Sequence, residues 1–138
     1  MRIAVIGATG ALGRQVVPRL VERGHEVRPV VRNDGQLRHF ERLGLRARRG
    51  DILDVESLVG AIRGCHVALH LATAVPPPQR EPADFTHNDR SPREGTANLV
   101  LACQSVGVHR YVQQSVAFLV ADGSPSVLDE TAPVRRTP

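Results

Sequence analysis

Residues 2–13 read Arg-Ile-Ala-Val-Ile-Gly-Ala-Thr-Gly-Ala-Leu-Gly, and no other stretch narrows the fold so far. Ile3, Ala4, Val5 and Ile6 form an apolar, mostly β-branched run, the composition of a parallel strand buried on both faces. Gly7, Gly10 and Gly13 follow at every third position. There a chain leaving a strand must turn sharply, bring bare backbone to a ligand, and start a helix packed on the sheet. A helix beginning near Ala11 turns its unpaired amides and the positive end of its dipole outward, where an anion such as a pyrophosphate fits. The spacing is G-x-x-G-x-x-G rather than the commoner G-x-G-x-x-G. A glycine-rich turn that binds nothing is the alternative, but a strand before it and a helix after it favour a nucleotide site.

The 138 residues are enough for one domain with its own core. Cys65 and Cys103 stand in apolar surroundings without metal-type spacing and read as core thiols of a reducing compartment. No apolar run approaches the ~20 residues of a membrane span and no targeting pattern opens the chain. A cytoplasmic protein without a membrane partner is expected. All 18 basic residues are arginine, and lysine is absent. The arginines are scattered and aromatic residues are few, so no nucleic-acid partner is expected. His66 and His70 share a strand face but lie roughly 13 Å apart, too far for one ion, and no metal site is expected.

Leu12, Val16, Val17, Leu20 and Val21 recur at helical spacing, with Pro18 predicting a bend between Arg14 and itself. Residues 25–31 form a second strand. At its end an acidic residue would accept the ribose hydroxyls of NAD; Val31 and Arg32 stand there instead. A guanidinium suits a 2'-phosphate, which tilts the expectation to NADP over NAD, a solvated surface arginine being the alternative. A helix is expected over 36–43 and an edge strand over 45–49, protected by Arg46 and Arg48. Asp51 at the next strand end either meets an adenine amine or caps a turn, and Asp54 caps a helix carrying Val55, Leu58, Val59 and Ile62.

Residues 65–71 read as a central strand, left through Ala72, Thr73 and Ala74, whose small side chains permit close approach of a cofactor. An irregular stretch is expected over 75–89. Ser91, Pro92, Arg93 and Glu94 then combine a capping box with proline at the first helical position, predicting a helix start there. A last strand over 109–115 ends in Gln113, Gln114 and Ser115. The pattern is an α/β doubly wound parallel sheet of about five strands in the order 3-2-1-4-5, cut short after the fifth. A nucleotide-binding domain spans 1–121, and 122–138 is a loop leading towards an absent C-terminal half.

In this order, Gly7-Ala8-Thr9-Gly10-Ala11-Leu12-Gly13, Gly50-Asp51-Ile52, His70-Leu71-Ala72-Thr73, Gly95-Thr96-Ala97-Asn98-Leu99 and Val112 to Ser115 ahead of Asp129-Glu130 mark a family. The chain resembles the extended short-chain dehydrogenase/reductases of the NAD-dependent epimerase/dehydratase type. The resemblance implies that Gly7 and Thr9, Gly10, Ala11, Leu12 and Gly13 hold the pyrophosphate, Asp51 and Ile52 the adenine, and Leu71, Ala72 and Thr73 the nicotinamide side. It also implies that Ser115 is the catalytic serine, bonding a small-molecule substrate's oxygen while a tyrosine acidified by a lysine exchanges a proton.

The Y-x-x-x-K pair of that family does not occur in these 138 residues, whose one tyrosine is Tyr111. Pro92 stands where the family often has asparagine. The expectation is the NAD(P)-binding part of a reductase or epimerase, inactive alone, with a non-catalytic NADP sensor as the alternative. A bare edge on the fifth strand further predicts self-association into a homo-oligomer.

Overall fold

The computed structural model describes residues 1–73 and 86–115, with backbone only for 86–92. The first apolar run forms β1 (Arg2–Ile6), with Ala4 and Val5 wholly buried. It is followed by α1 (Ala11–Glu22), β2 (Glu26–Val31), α2 (Asp34–Arg42), β3 (Arg48–Arg49), α3 (Val55–Ile62), β4 (Val67–His70), α4 (Thr86–Val106) and β5 (Arg110–Gln113). The five strands are all parallel, in the order β3-β2-β1-β4-β5 expected for a doubly wound sheet. Ile6 pairs with Val30 on one side and His70 on the other, and His70 pairs with Gln113. Four strands therefore end at one level, and the residues that follow them meet along one rim.

Alternate residues of the strands feed two cores, as the period of two requires. Ala4, Ile6 and Ala68 pack with Leu58 and Ile62 of α3 and Leu99 and Cys103 of α4. Ile3, Val5, Val27 and Val67 pack with Val17 of α1 and Phe40 of α2. Leu58, Ile62 and Leu99 are fully buried, each worth about 1.5–3 kcal/mol against exposure.

The strands β4 and β5 are shorter than the expected 65–71 and 109–115, and three other elements depart from the sequence expectations. The edge strand β3 is two residues long rather than spanning 45–49. Its limit is Pro29. Glu26 N donates to the Met1 carbonyl at 3.0 Å on the β1 side, so alternation turns residues 27, 29 and 31 towards β3, and at Pro29 there is no N–H to give. The helix α2 begins at Asp34, two residues before the expected start at Gln36, because the Asn33 side chain accepts from Gln36 N at 3.0 Å and caps it.

The third departure is α4, which starts at Thr86 and not at the capping box Ser91–Glu94, and so takes in residues expected to be irregular. No glycine or proline interrupts 86–91, so helix can form ahead of Pro92, whose ring already holds a helical φ at the cost of one hydrogen bond. Pro18 lies inside α1, a single helix from Ala11 to Glu22. Residues 75–85 of the irregular stretch expected over 75–89, and the domain boundary at 121/122, fall outside the described residues.

Candidate cofactor site

The rim formed by the strand ends encloses a cleft of about 490 Å³. Gly7, Thr9, Gly10, Ala11 and Leu12 form its floor, Arg32 and Ile52 stand at one end, and Leu71, Ala72 and Thr73 close the other. The sequence expectations therefore come together in one place, with three exceptions: Gly13, Asp51 and Ser115 do not line the cleft.

Gly7 makes the floor's shape. Its φ is +86°, and a Cβ there would lie 2.5 Å from Ala72 N, so neither the conformation nor the space admits a side chain. Gly13 has a packing role: a Cβ on it would collide with the Gly7 carbonyl oxygen and lie 2.5 Å from the Ala8 carbonyl carbon. That contact draws α1 tightly onto the turn. Gly10 donates to the Gly7 carbonyl at 3.0 Å, and Arg14 Nε donates to the Thr9 carbonyl at 2.9 Å, bracing the loop from outside.

Gly10 is the N-cap of α1, supplies no side-chain cap, and no acidic residue stands in the first turn. The first amides of a 12-residue helix thus open into the cleft without a side-chain acceptor. An anion meets both the free donors and the dipole there.

At the β2 end, Arg32 N donates to Gln36 Oε1 at 3.1 Å, and Arg49 Nη2 donates to the Arg32 carbonyl at 3.4 Å. Arg49 also pairs with Asp34 at 3.1 Å. The backbone of Arg32 is held from two sides, while its guanidinium has no carboxylate partner among the described residues. Asp51 turns Oδ1 back to accept from Leu53 N at 2.9 Å, the turn-capping alternative of the sequence reading. Ile52 faces the cleft. Gln36, Gly50 and Gln114 line it without having been given a binding role from sequence. Each lies in or just after a strand end or in a first helical turn, and register alone brings them in.

Just before Leu71, Ala72 and Thr73, His70 is 2% exposed. Its Nδ1 lies 2.9 Å from the Tyr111 hydroxyl, which donates to Gln113 Oε1 at 2.7 Å. Thr96 Oγ1 donates to the same oxygen at 3.4 Å. The opposite ring nitrogen, Nε2, is buried with no hydrogen-bond partner among the described residues. Burial lowers the His70 pKa and raises that of Tyr111. His66 lies at the far end of β4, accepting from Arg2 N at 2.9 Å.

A family model described as NAD(P)H-binding matches residues 7–134. The chain belongs to that NAD(P)H-binding family. A 3-diazoavenalumate denitrifying reductase from Streptomyces sp is 37% identical over 137 residues, 97% of this chain and 44% of the relative. A short-chain dehydrogenase/reductase superfamily protein from Agrobacterium tumefaciens, solved with bound NAD, superposes with TM-score 0.76 at 29% identity, over 100% of this chain and 40% of that one. The Citrobacter sp. triphenylmethane reductase complexed with NADP(H) gives 0.66 at 29% identity, over 85% of this chain and 38% of that one.

This NAD(P)H-binding chain thus spans under half the length of the proteins it matches, and the resemblance to the short-chain dehydrogenase/reductases stands. The residues present fit a dinucleotide: uncapped helix amides for its phosphates and a long cleft on either side of them. No helix among the described residues is long and apolar enough to cross a membrane.

Proposed function

We propose that the chain is the cofactor-binding part of a reductase or epimerase, taking NADP in preference to NAD. The observation that carries this reading is the single cleft joining the uncapped start of α1 to Arg32 at one end and Leu71–Thr73 at the other. Thr9, Gly10, Ala11 and Leu12 would hold the pyrophosphate, with Gly7 and Gly13 shaping the turn. Arg32 would take the 2'-phosphate in a charge-assisted contact. Ile52, with Asp51 beside it, would receive the adenine, and Leu71, Ala72 and Thr73 the nicotinamide.

A nicotinamide dinucleotide supplies hydride chemistry in such a site. The chain's own residues bind and orient it, and the bare backbone at Ala72 permits close approach. Ser115 follows Gln114 at the end of β5, where its hydroxyl would bond a small-molecule substrate's oxygen. No tyrosine–lysine pair lies within the 138 residues, so proton transfer would need a group outside them.

Two further readings belong with this one. The edge strand β5, with Val112 44% exposed, would pair with a second copy of the chain. The buried free thiols Cys65 and Cys103 suit a reducing, cytoplasmic setting; burial pushes Cys103 up to about 11.

Calorimetric titration of the 138-residue chain with NADP and with NAD tests the main reading. Binding of NADP at least about tenfold tighter than NAD is expected, from the added charge-assisted contact. Absence of binding to either would remove the function, and a preference for NAD would remove the role of Arg32.

A further inference from the structure

Asn98 on α4 donates its Nδ2 to the carbonyl of Ile52 at 3.1 Å, across 46 residues of sequence. The two segments approach so closely because Gly95, one turn earlier, is bare: a Cβ there would lie 2.7 Å from Ile52 Cγ1. The other side-chain bonds of this turn among the described residues are local. Asp51 N donates to Ser57 Oγ at 2.9 Å, Leu53 N to Asp51 Oδ1 at 2.9 Å, and Ser57 Oγ to the Asp54 carbonyl at 2.8 Å. Asn98 alone, among these bonds, reaches the turn from a different helix.

A peptide plane pinned at its oxygen fixes the direction of the residue that carries it. The pinned peptide is the one leaving Ile52, and Ile52 lines the cleft while being only 9% exposed. Asn98 itself does not line the cleft. The bond therefore sets the wall against which a flat ring can lie, without touching what lies there.

The geometry points to Asn98 as a positioning residue for the adenine half of the cofactor, acting through the Ile52 carbonyl. This rests on the cleft being the NADP site with adenine at Ile52. Two consequences separate it from a general loosening of the fold. Loss at Asn98 falls on the adenine half alone, so NADP and 2',5'-ADP, which share that half, weaken by the same factor. In addition, Asn98→Asp keeps the size but sets an oxygen against the Ile52 carbonyl, and protonating that carboxyl restores a donor.

The experiment measures affinities of NADP and 2',5'-ADP for the native chain, Asn98→Ala and Asn98→Asp at pH 7.5 and pH 5. Asn98→Ala is expected to weaken both ligands about five- to tenfold, the loss of one ordering hydrogen bond. Asn98→Asp weakens both further at pH 7.5 and recovers, relative to the native chain, at pH 5. Loss for NADP with none for 2',5'-ADP, or no loss for either, would overturn the assignment. Should neither variant fold, the side-chain amide resonances of Asn98 in the native chain decide: they shift on adding 2',5'-ADP, and resonances that stay put overturn it. A native chain that binds neither ligand would instead sink the reading of the cleft itself.

Discussion

His70 Nδ1 lies 2.9 Å from the Tyr111 hydroxyl, and the two residues close the buried end of the rim from adjacent strands. The opposite ring nitrogen, Nε2, has no hydrogen-bond partner among the described residues. Burial strips water from the charged imidazolium, and this lowers the His70 pKa.

The sign of the pH dependence follows. Because the folded chain holds His70 neutral below its ordinary pKa, the unfolded chain binds the extra proton first, and stability is lost as pH falls from about 6.5 towards the folded value. Thermal unfolding midpoints measured from pH 8 down to pH 5 are expected to fall more steeply for the native chain than for His70→Asn, which cannot titrate. Parallel curves would show that His70 does not carry the effect.

Gly10 occupies an N-cap position with extended backbone, φ −72° and ψ 176°. Aspartate is a favoured cap there, so Gly10→Asp is expected to leave the melting temperature unchanged or raise it, once the 3.2 Å approach of its Cβ to the Gly7 carbonyl is relieved. Its carboxylate would take up the same amides and repel a pyrophosphate, weakening NADP by at least about tenfold. A variant that keeps its affinity would place the phosphates elsewhere.

Arg32→Ala is expected to cost NADP about 10- to 100-fold and NAD about twofold or less, since only NADP offers the 2'-phosphate to the guanidinium. Equal losses for the two cofactors would leave Arg32 a solvated surface residue.

Val112 on β5 is 44% exposed on an edge strand. Sedimentation over a wide concentration range is expected to show reversible self-association of the native chain and a monomer for Val112→Lys, since a charge on an edge opposes strand pairing. A native chain that stays monomeric throughout would leave β5 unpaired.

Most of the lining of the candidate cleft was legible because its signals are local. Gly7, Gly10 and Gly13 report a strand, a turn and a helix within one short segment, and the residues just after β2 and β4 follow from the strand ends. Asp51 shows the limit: its carboxylate could serve a ligand or its own turn, and only the bond from Leu53 N shows where Oδ1 is committed. Likewise the capping box at Ser91 was a sound local signal, overridden because α4 is already helical before it.

What the amino-acid order determined by itself was the alternation of strand and helix and the glycine turn that opens α1 without a side-chain cap, because backbone conformation and hydrophobic period act between near neighbours. Tertiary structure decided the rest. The length of β3 waited on which edge of β2 Pro29 faced; the bond from Asn98 to Ile52 and the pairing of His70 with Tyr111 span 46 and 41 residues. Side chains that far apart meet only when the sheet order and register are set, and no local pattern encodes a hydrogen bond between strangers in sequence.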